Sequence, residues 1–331
     1  MTHSGSAYMT TRTDAEHQGF VHSALLYRSS GEYVDFVLRF VLDGLSAAEP
    51  ALIAVPGDNL ALLRDELRRE YDGIPAGLHT ADITEIARNP SRFLAMKSEF
   101  AEQYRDQRVR IVSELVWPGR TDDELLSCTE DEALVNEALA HHRALCLCLY
   151  DASRLDDDVL ASARATHPLL WACGALHPSA DYAPHEALAR CNKPLPLNPG
   201  AVTYTVRETA DLRPARSLAV DYASWVGLSQ DGTEDLQLIA TELATNSLMY
   251  TEGGCQLAFW RDKQHLVCEA RDTGRFDDPL AGRRPPGGSG TASRGLFLVN
   301  AMTDLVRTHT TTTGTTIQAY LRMDPAPRPA G

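Results

Sequence analysis

Between residues 20 and 175 short apolar runs alternate with helical patterns, and this rhythm restricts the possible folds more than any other feature of the chain. SALLY is followed by EYVDFVLRFVLDGL, and ALIAV by DNLALLRDELRREY. RIVSELVW and ALCLCLY come later as strand-like runs, among the helical patterns RFLAMKSEFAEQY, EDEALVNEALA and DDDVLASARATH. A strand covered on both faces needs no polar side, so it reads as a nearly continuous apolar run, and the intervening helices supply the cover. The rhythm predicts a doubly wound α/β domain with a parallel sheet over residues 18–176.

After Leu176 the periodicity fades and Pro178, Pro184, Pro194, Pro196 and Pro199 follow, which predicts a linker over 177–200. Residues 201–324 have a different pattern. VTYTV alternates as a strand, LRPARSLAVDYASWVGL and EDLQLIATELATNSLMY read as helices, and CQLAFWR and HLVCEARD as strands. A Gly/Pro/Arg-rich loop from Arg275 to Ala292 leads into the helix SRGLFLVNAM, with DLVRTHT and TTIQAYL as the last strands. This order predicts an α+β domain whose helices lie on one face of a mixed, mostly antiparallel sheet. Thr233 is the expected N-cap of the second helix. The tail PAPRPAG, residues 325–331, reads as disordered.

A formal net charge of −14 excludes the clustered basic footprint of a general nucleic-acid or anionic-membrane binder. No apolar run reaches the length of a membrane span, and the first residues lack a signal-peptide core, so a cytoplasmic protein is expected. Seven scattered cysteines without paired CxxC spacing read as reduced thiols. Cys146 and Cys148 share one face of ALCLCLY, where packing competes with a metal or redox role involving His141 or His142.

Four segments of the second domain carry chemistry only when taken together. In ELATNSLMYT, Glu242 and Asn246 lie about 40° apart on the border of a stripe formed by Leu236, Ile239, Ala240, Leu243, Ser247 and Tyr250. The strand HLVCEARD ends at Asp272, an acceptor for a ligand amine, and Gly274 after it allows close backbone approach. GGSGTASRGLFLV sets glycines before a helix start, where free N–H groups suit phosphate. GTTIQAYL opens the last strand with Gly314, Thr315 and Thr316. Each segment alone is also an ordinary helix margin, turn, loop or hairpin.

In this order, over roughly Val202 to Leu321, the four segments resemble the nucleotide-binding boxes of the GHKL ATPase superfamily, in particular its anti-sigma regulatory factor, or serine-protein kinase, branch. The resemblance implies the GHKL (Bergerat) α/β sandwich, bound ATP and Mg²⁺, and a set of roles by position. Glu242 would activate the attacking hydroxyl or water, and Asn246 would coordinate Mg²⁺. Asp272 would hold the adenine amino group beside Gly274, with Thr316 behind it. Ser293, Arg294, Gly295 and Leu296 would surround the phosphates, under a lid formed by Arg275 to Ala292. Phe276 stands where such chains often have a second glycine, and Tyr250 where they frequently have His.

The first half resembles the MEDS sensory domain over about Phe20 to Leu176. The resemblance rests on HSALLYRSSGEYVDFVLRFVLDGLSAAEPALIAVP, ELVWPGR and EALVNEALAHHRALCLCLYDASRLDDDVL, and implies a RecA-like α/β fold. PGDNL after ALIAV lacks the phosphate-gripping Lys of a P-loop, so this half is not expected to be a working ATPase. Ligands of open α/β sheets bind beyond the carboxyl ends of the strands, where Arg28, Pro56, Trp117, Arg120 and Asp151 fall. Trp117 and Arg120 can form a stacking and charged rim with His22 inside it, or serve packing alone.

Together these readings predict a signalling regulator in which a small-molecule or protein signal at the first domain modulates an ATP-binding anti-sigma domain. Its expected partners are an alternative sigma factor that it sequesters, or a STAS-type anti-anti-sigma protein that it phosphorylates on Ser or Thr, or both, with a homodimer suggested by the resemblance. The alternative is a binding protein that sequesters its partner without moving phosphate. A histidine-kinase fragment fits less well, since no dimerisation helix with a phosphoacceptor His precedes ELATNSLMYT.

Overall fold

The structure, a computed structural model, describes residues 19–70, 74–285 and 291–323, without the side chains of residues 70 and 291–293. The tail expected at 325–331 lies outside the described residues. In the first domain the strands are β1 (Val21–Tyr27), β2 (Ala51–Val55), β3 (Leu78–Asp82), β4 (Val109–Ser113), β5 (Ala144–Asp151), β6 (Leu169–Ala172) and β7 (Ala175–Pro178). Between them run α1 (Ser30–Ser46), α2 (Gly57–Glu70), α3 (Pro90–Gln103), α4 (Asp122–Ala138) and α5 (Asp157–Thr166). The sheet order is β3-β2-β4-β5-β1-β6-β7, and all pairings are parallel except β6 with β7.

Alternate strand residues face opposite ways, and each side has its own core. Leu25, Ile53 and Val55 pack with Tyr33, Val37 and Val41 of α1 and Leu60 and Leu63 of α2. Ala24, Leu52, Ile111, Cys146 and Cys148 pack with residues of α3, α4 and α5, such as Phe93, Leu134 and Ala163. The expected double cover is therefore present. Helix ends follow local chemistry: Thr121 and Glu124 close a capping box on α4, and Asn89 caps α3 ahead of Pro90.

The segment read as a linker is folded and docked. Helix α6 (Pro184–Cys191) starts on Pro184, whose missing N–H costs nothing at a helix start, and buries Ala187 and Cys191. The residue after it, Asn192, donates to Thr310 O at 2.8 Å and accepts from the Thr310 N–H at 2.9 Å. Its side chain thus behaves as a short piece of strand partner. Eight residues is too short a helix for its periodicity to stand out among so many prolines.

The second domain contains β8 (Val202–Val206), α7 (Leu212–Val226), α8 (Gln230–Tyr250), β9 (Cys255–Asp262), β10 (His265–Asp272), α9 (Thr291–Met302), β11 (Leu305–Thr311) and β12 (Gly314–Arg322). Its sheet, β11-β12-β10-β9-β8, is antiparallel at every described pairing rather than mixed. The three helices bury one face around Leu236, Ile239, Leu243, Phe259, Cys268 and Val299. Helix α8 begins earlier than expected, because Ser229, not Thr233, accepts the Gly232 N–H as N-cap.

The two domains meet at a polar joint. Asn89 Nδ2 reaches Asn300 O, Asn300 Oδ1 and Thr303 Oγ1 at 3.0–3.2 Å, while Arg92 donates to the carbonyls of Asn300 and Thr303. These are carbonyls at the end of α9, where the helix has no further N–H groups of its own to offer. Arg283, on the loop before α9, pairs with Glu130 of α4 at 2.8 Å. No described helix is long and apolar enough to cross a membrane.

Candidate functional site

In the second domain a cavity of about 360 Å³ opens between α8, the end of β10, the start of β12 and α9. Leu243, Asn246, Ser247 and Tyr250 line it from α8 at helical spacing, and Asp272, Gly274, Phe276, Leu296, Thr315 and Ile317 are among the residues of the other walls. Mostly apolar walls with a few convergent polar groups are the usual make-up of a small-molecule site.

Asp272 is held before any ligand arrives. Its Oδ2 accepts from the Ser247 hydroxyl at 2.5 Å and its Oδ1 from the Gly274 N–H at 2.9 Å. Thr315 Oγ1 donates to Gly274 O at 2.9 Å, so the last strand also fixes the turn after β10. A Cβ at Gly274 would come within 2.5 Å of the Thr251 methyl, so the turn requires glycine.

Glu242 lies half-buried one turn before Asn246 and is not among the cavity wall. The two side chains nevertheless converge: a Cβ built on Gly295 would sit 2.5 Å from Glu242 Oε2 and 3.4 Å from Asn246 Oδ1. Glycine at this point of α9 leaves the carboxylate and amide the space they occupy. Asn246 Nδ2 is buried without a hydrogen-bond partner, an unmet polar group facing the same region. Amide, carboxylate and nearby helix start form a donor set suited to a hydrated divalent cation and phosphates, with Asp272 suited to an amine.

Of the residues expected from the sequence, Asn246, Asp272, Gly274 and Leu296 line the cavity, and Gly295 packs against Glu242. Arg294 is exposed, and the side chain of Ser293 lies outside the described residues, as does part of the expected lid. Thr316 requires correction. Strand alternation turns Thr315 and Ile317 into the cavity, and Thr316 to the other side of β12. Ser247 was also missed as a functional group. The available signal was a hydroxyl within an apolar stripe. Phe276 and Tyr250, the two departures from the familiar pattern, both border the cavity.

The first domain has a cavity of about 440 Å³ beyond the carboxyl ends of β1, β2, β4 and β5, lined by Arg28, Pro56, Trp117 and Asp151 among others. Arg120 is not part of it. Its guanidinium lies 3.5 Å from the Trp117 ring centroid and donates to Leu115 O and Ala87 O, so it supports the tryptophan from a buried position. His22 is also absent from this cavity, buried instead beside Glu132, Cys148 and His167. Cys148 thus has His22 as its imidazole neighbour, whereas His142 pairs with Glu102.

The cavity also exposes a residue that sequence reading overlooked. Glu114, inside the apolar run RIVSELVW, is 2 % exposed and accepts from Tyr27, Tyr33 and Asn59 at 2.8, 3.3 and 2.6 Å. Burial pushes its carboxyl up to about 7 despite these three donors, which act in the other direction. The folded state therefore holds this proton more tightly than the unfolded chain. Its contribution to stability is complete below about pH 4.5 and is lost as pH rises through about 7. Over that window the wild-type chain should lose on the order of 3 kcal/mol relative to Glu114→Gln. Urea unfolding of both proteins at several pH values checks this, and parallel profiles would refute it.

Residues 21–168 match the family described as the MEthanogen/methylotroph, DcmR Sensory domain, MEDS, and residues 205–321 match the Histidine kinase-like ATPase domain. No curated protein matches the chain. Among solved structures, the RsbU and RsbW domains of Rv1364c from Mycobacterium tuberculosis align at 16% identity over 38% of this chain and 33% of that one, with a TM-score of 0.30. The ATPase domain of another protein aligns at 10% identity over 46% of this chain and 68% of that one, with a TM-score of 0.31. The chain thus spans about a third of the first of these proteins. By its two family matches, the protein joins a MEDS sensory domain to a histidine kinase-like ATPase domain.

Proposed function

We propose that this protein is a cytoplasmic partner-switching regulator whose second domain binds Mg-ATP and acts as an anti-sigma factor. In this reading it phosphorylates a Ser or Thr of a STAS-type antagonist under the control of the sensory domain. The observation that carries the reading is the convergence of Asp272, Gly274 and Thr315 on one cavity, with Glu242 and Asn246 packed together on Gly295 at its side. Asp272 receives the adenine amine, Asn246 holds Mg²⁺, and Glu242 orients and deprotonates the acceptor hydroxyl. Phosphoryl transfer asks a protein for little beyond such positioning and charge stabilisation.

The strand order around β1 supports a RecA-like reading of the first domain, and three helices over one face of an antiparallel sheet support a GHKL reading of the second. Control by the sensory domain is supported by the joint, since α3 grips the end of the helix that carries Gly295. A second reading, sequestration of a partner without phosphate transfer, is favoured by Phe276 at the cavity where a glycine would leave more room.

Full-length protein with Mg-ATP labelled on the γ-phosphate and a purified STAS-domain partner separates the two. Transfer of label to the partner is expected. Nucleotide binding without transfer selects the second reading, and absence of both rejects the ATP site.

A further inference from the structure

On the sheet face covered by α3, α4 and α5, four side chains from distant parts of the chain present electron-rich atoms to one another. They are His22 on β1, Glu132 on α4, Cys148 on β5 and His167 just after α5, none more than 2 % exposed. His22 Nε2 lies 3.2 Å from Glu132 Oε2 and 3.3 Å from Cys148 Sγ. Cys148 Sγ lies 3.3 Å, and His167 Nε2 3.6 Å, from the same carboxylate oxygen. All four atoms fall within 4.8 Å of one another.

The outer hydrogen bonds set the tautomers. Asn136 donates its amide hydrogens to the Ala133 and Thr166 carbonyls, so its Oδ1 is an acceptor, and His22 Nδ1–H donates to it at 3.1 Å. His167 Nδ1–H donates to Ala163 O at 2.8 Å. Each imidazole thereby turns an unprotonated Nε2 toward the carboxylate, and His167 Nε2 has no hydrogen-bond partner. A neutral imidazole fixed through Nδ1–H is the usual preparation of a metal-bound histidine. Without a cation between them, two nitrogen lone pairs and a carboxylate share a buried space with one thiol proton.

We propose that these four atoms form a closed site for a divalent metal of the zinc class. Bonds of roughly 2.0–2.3 Å in a tetrahedron place ligand atoms roughly 3.3–3.7 Å apart, close to the four short separations above. Binding displaces the Cys148 thiol proton to solvent, and thiolate plus Glu132 carboxylate then balance the two positive charges of the ion. The neighbouring buried Lys97 pairs with Asp131 at 3.2 Å, and its charge also favours the ionised Glu132 carboxylate. The site bears on the domain joint, because α4 carries Glu132 to it and Glu130 to Arg283 of the loop before α9.

The test is a titration of metal-free, full-length protein with Co²⁺ in a phosphine reductant. One bound ion per chain, intense tetrahedral visible bands, a thiolate-to-cobalt charge-transfer band and displacement by Zn²⁺ are expected. Cys148→Ser should remove the charge-transfer band. Asn136→Ala, which releases His22 and the Thr166 carbonyl but removes none of the four ligands, should weaken Co²⁺ binding about 10–100-fold while the band persists. A folded wild-type chain, judged by circular dichroism, that binds no stoichiometric Co²⁺ overturns the proposal. So does a charge-transfer band that survives in Cys148→Ser. If that variant fails to fold, the wild-type titration and Asn136→Ala still decide.

Discussion

Glu242→Gln should reduce phosphate transfer from Mg-ATP to a STAS-domain partner by about a thousandfold while leaving ATP affinity within about threefold, since general-base assistance is worth about 10²–10⁴. The substitution keeps the shape of a side chain for which Gly295 leaves room, and removes its charge and its ability to accept a proton. Single-turnover transfer and equilibrium nucleotide binding, measured on the same preparation, separate the two effects. Unchanged transfer would show that Glu242 is not the base. A parallel loss of ATP affinity would mean that its charge organises the site rather than deprotonating the acceptor.

Asp272→Asn should weaken ATP binding by about 100–1,000-fold, through a donor facing a donor in a buried site. In the wild type, Oδ1 accepts from Gly274 and Oδ2 from Ser247, so the carboxylate is fixed at the cavity wall with lone pairs left to accept. An amide there places hydrogens where the adenine amine offers its own, whereas a guanine carbonyl would accept them. The variant should therefore lose discrimination against GTP along with ATP affinity. Calorimetric titration with both nucleotides measures this. ATP affinity within about threefold of wild type would exclude this cavity as the adenine site.

The sequence was most legible where a residue's role follows from its place on a single element. Asp272 and Gly274 end a strand, and Asn246 lies on the border of an amphipathic helix, so each could be singled out before any packing was known. Thr315 and Thr316 show the limit of that reasoning. Both open the same strand, and only the register that pairs Asp272 with Thr315 decides which hydroxyl enters the cavity. Helix α6 was obscured by surrounding prolines, although Pro184 at its start and two buried positions suffice once α4 is beside it.

Glu114 shows a different failure. An acid inside an apolar run looks like an interruption of a strand, and its meaning depends on Tyr27, Tyr33 and Asn59, whose donors come from β1, α1 and α2. Arg120 could be read from the sequence as part of a charged rim with Trp117 or as packing alone, and two backbone carbonyls and the Trp117 face occupy it.

By itself the sequence determined the two α/β architectures in outline and the order of the segments that line the cavity of the second domain, because periodicity reports which side of its own element each residue occupies. Only the tertiary structure decided which of those sides meet. His22 and Glu132 are 110 residues apart, and Asn89 lies 211 residues from Asn300, yet each pair is within hydrogen-bonding distance. Such meetings are set by how helices seat on the sheet and how one domain caps the other. Local pattern does not encode that seating, which arises from the packing of all the elements together.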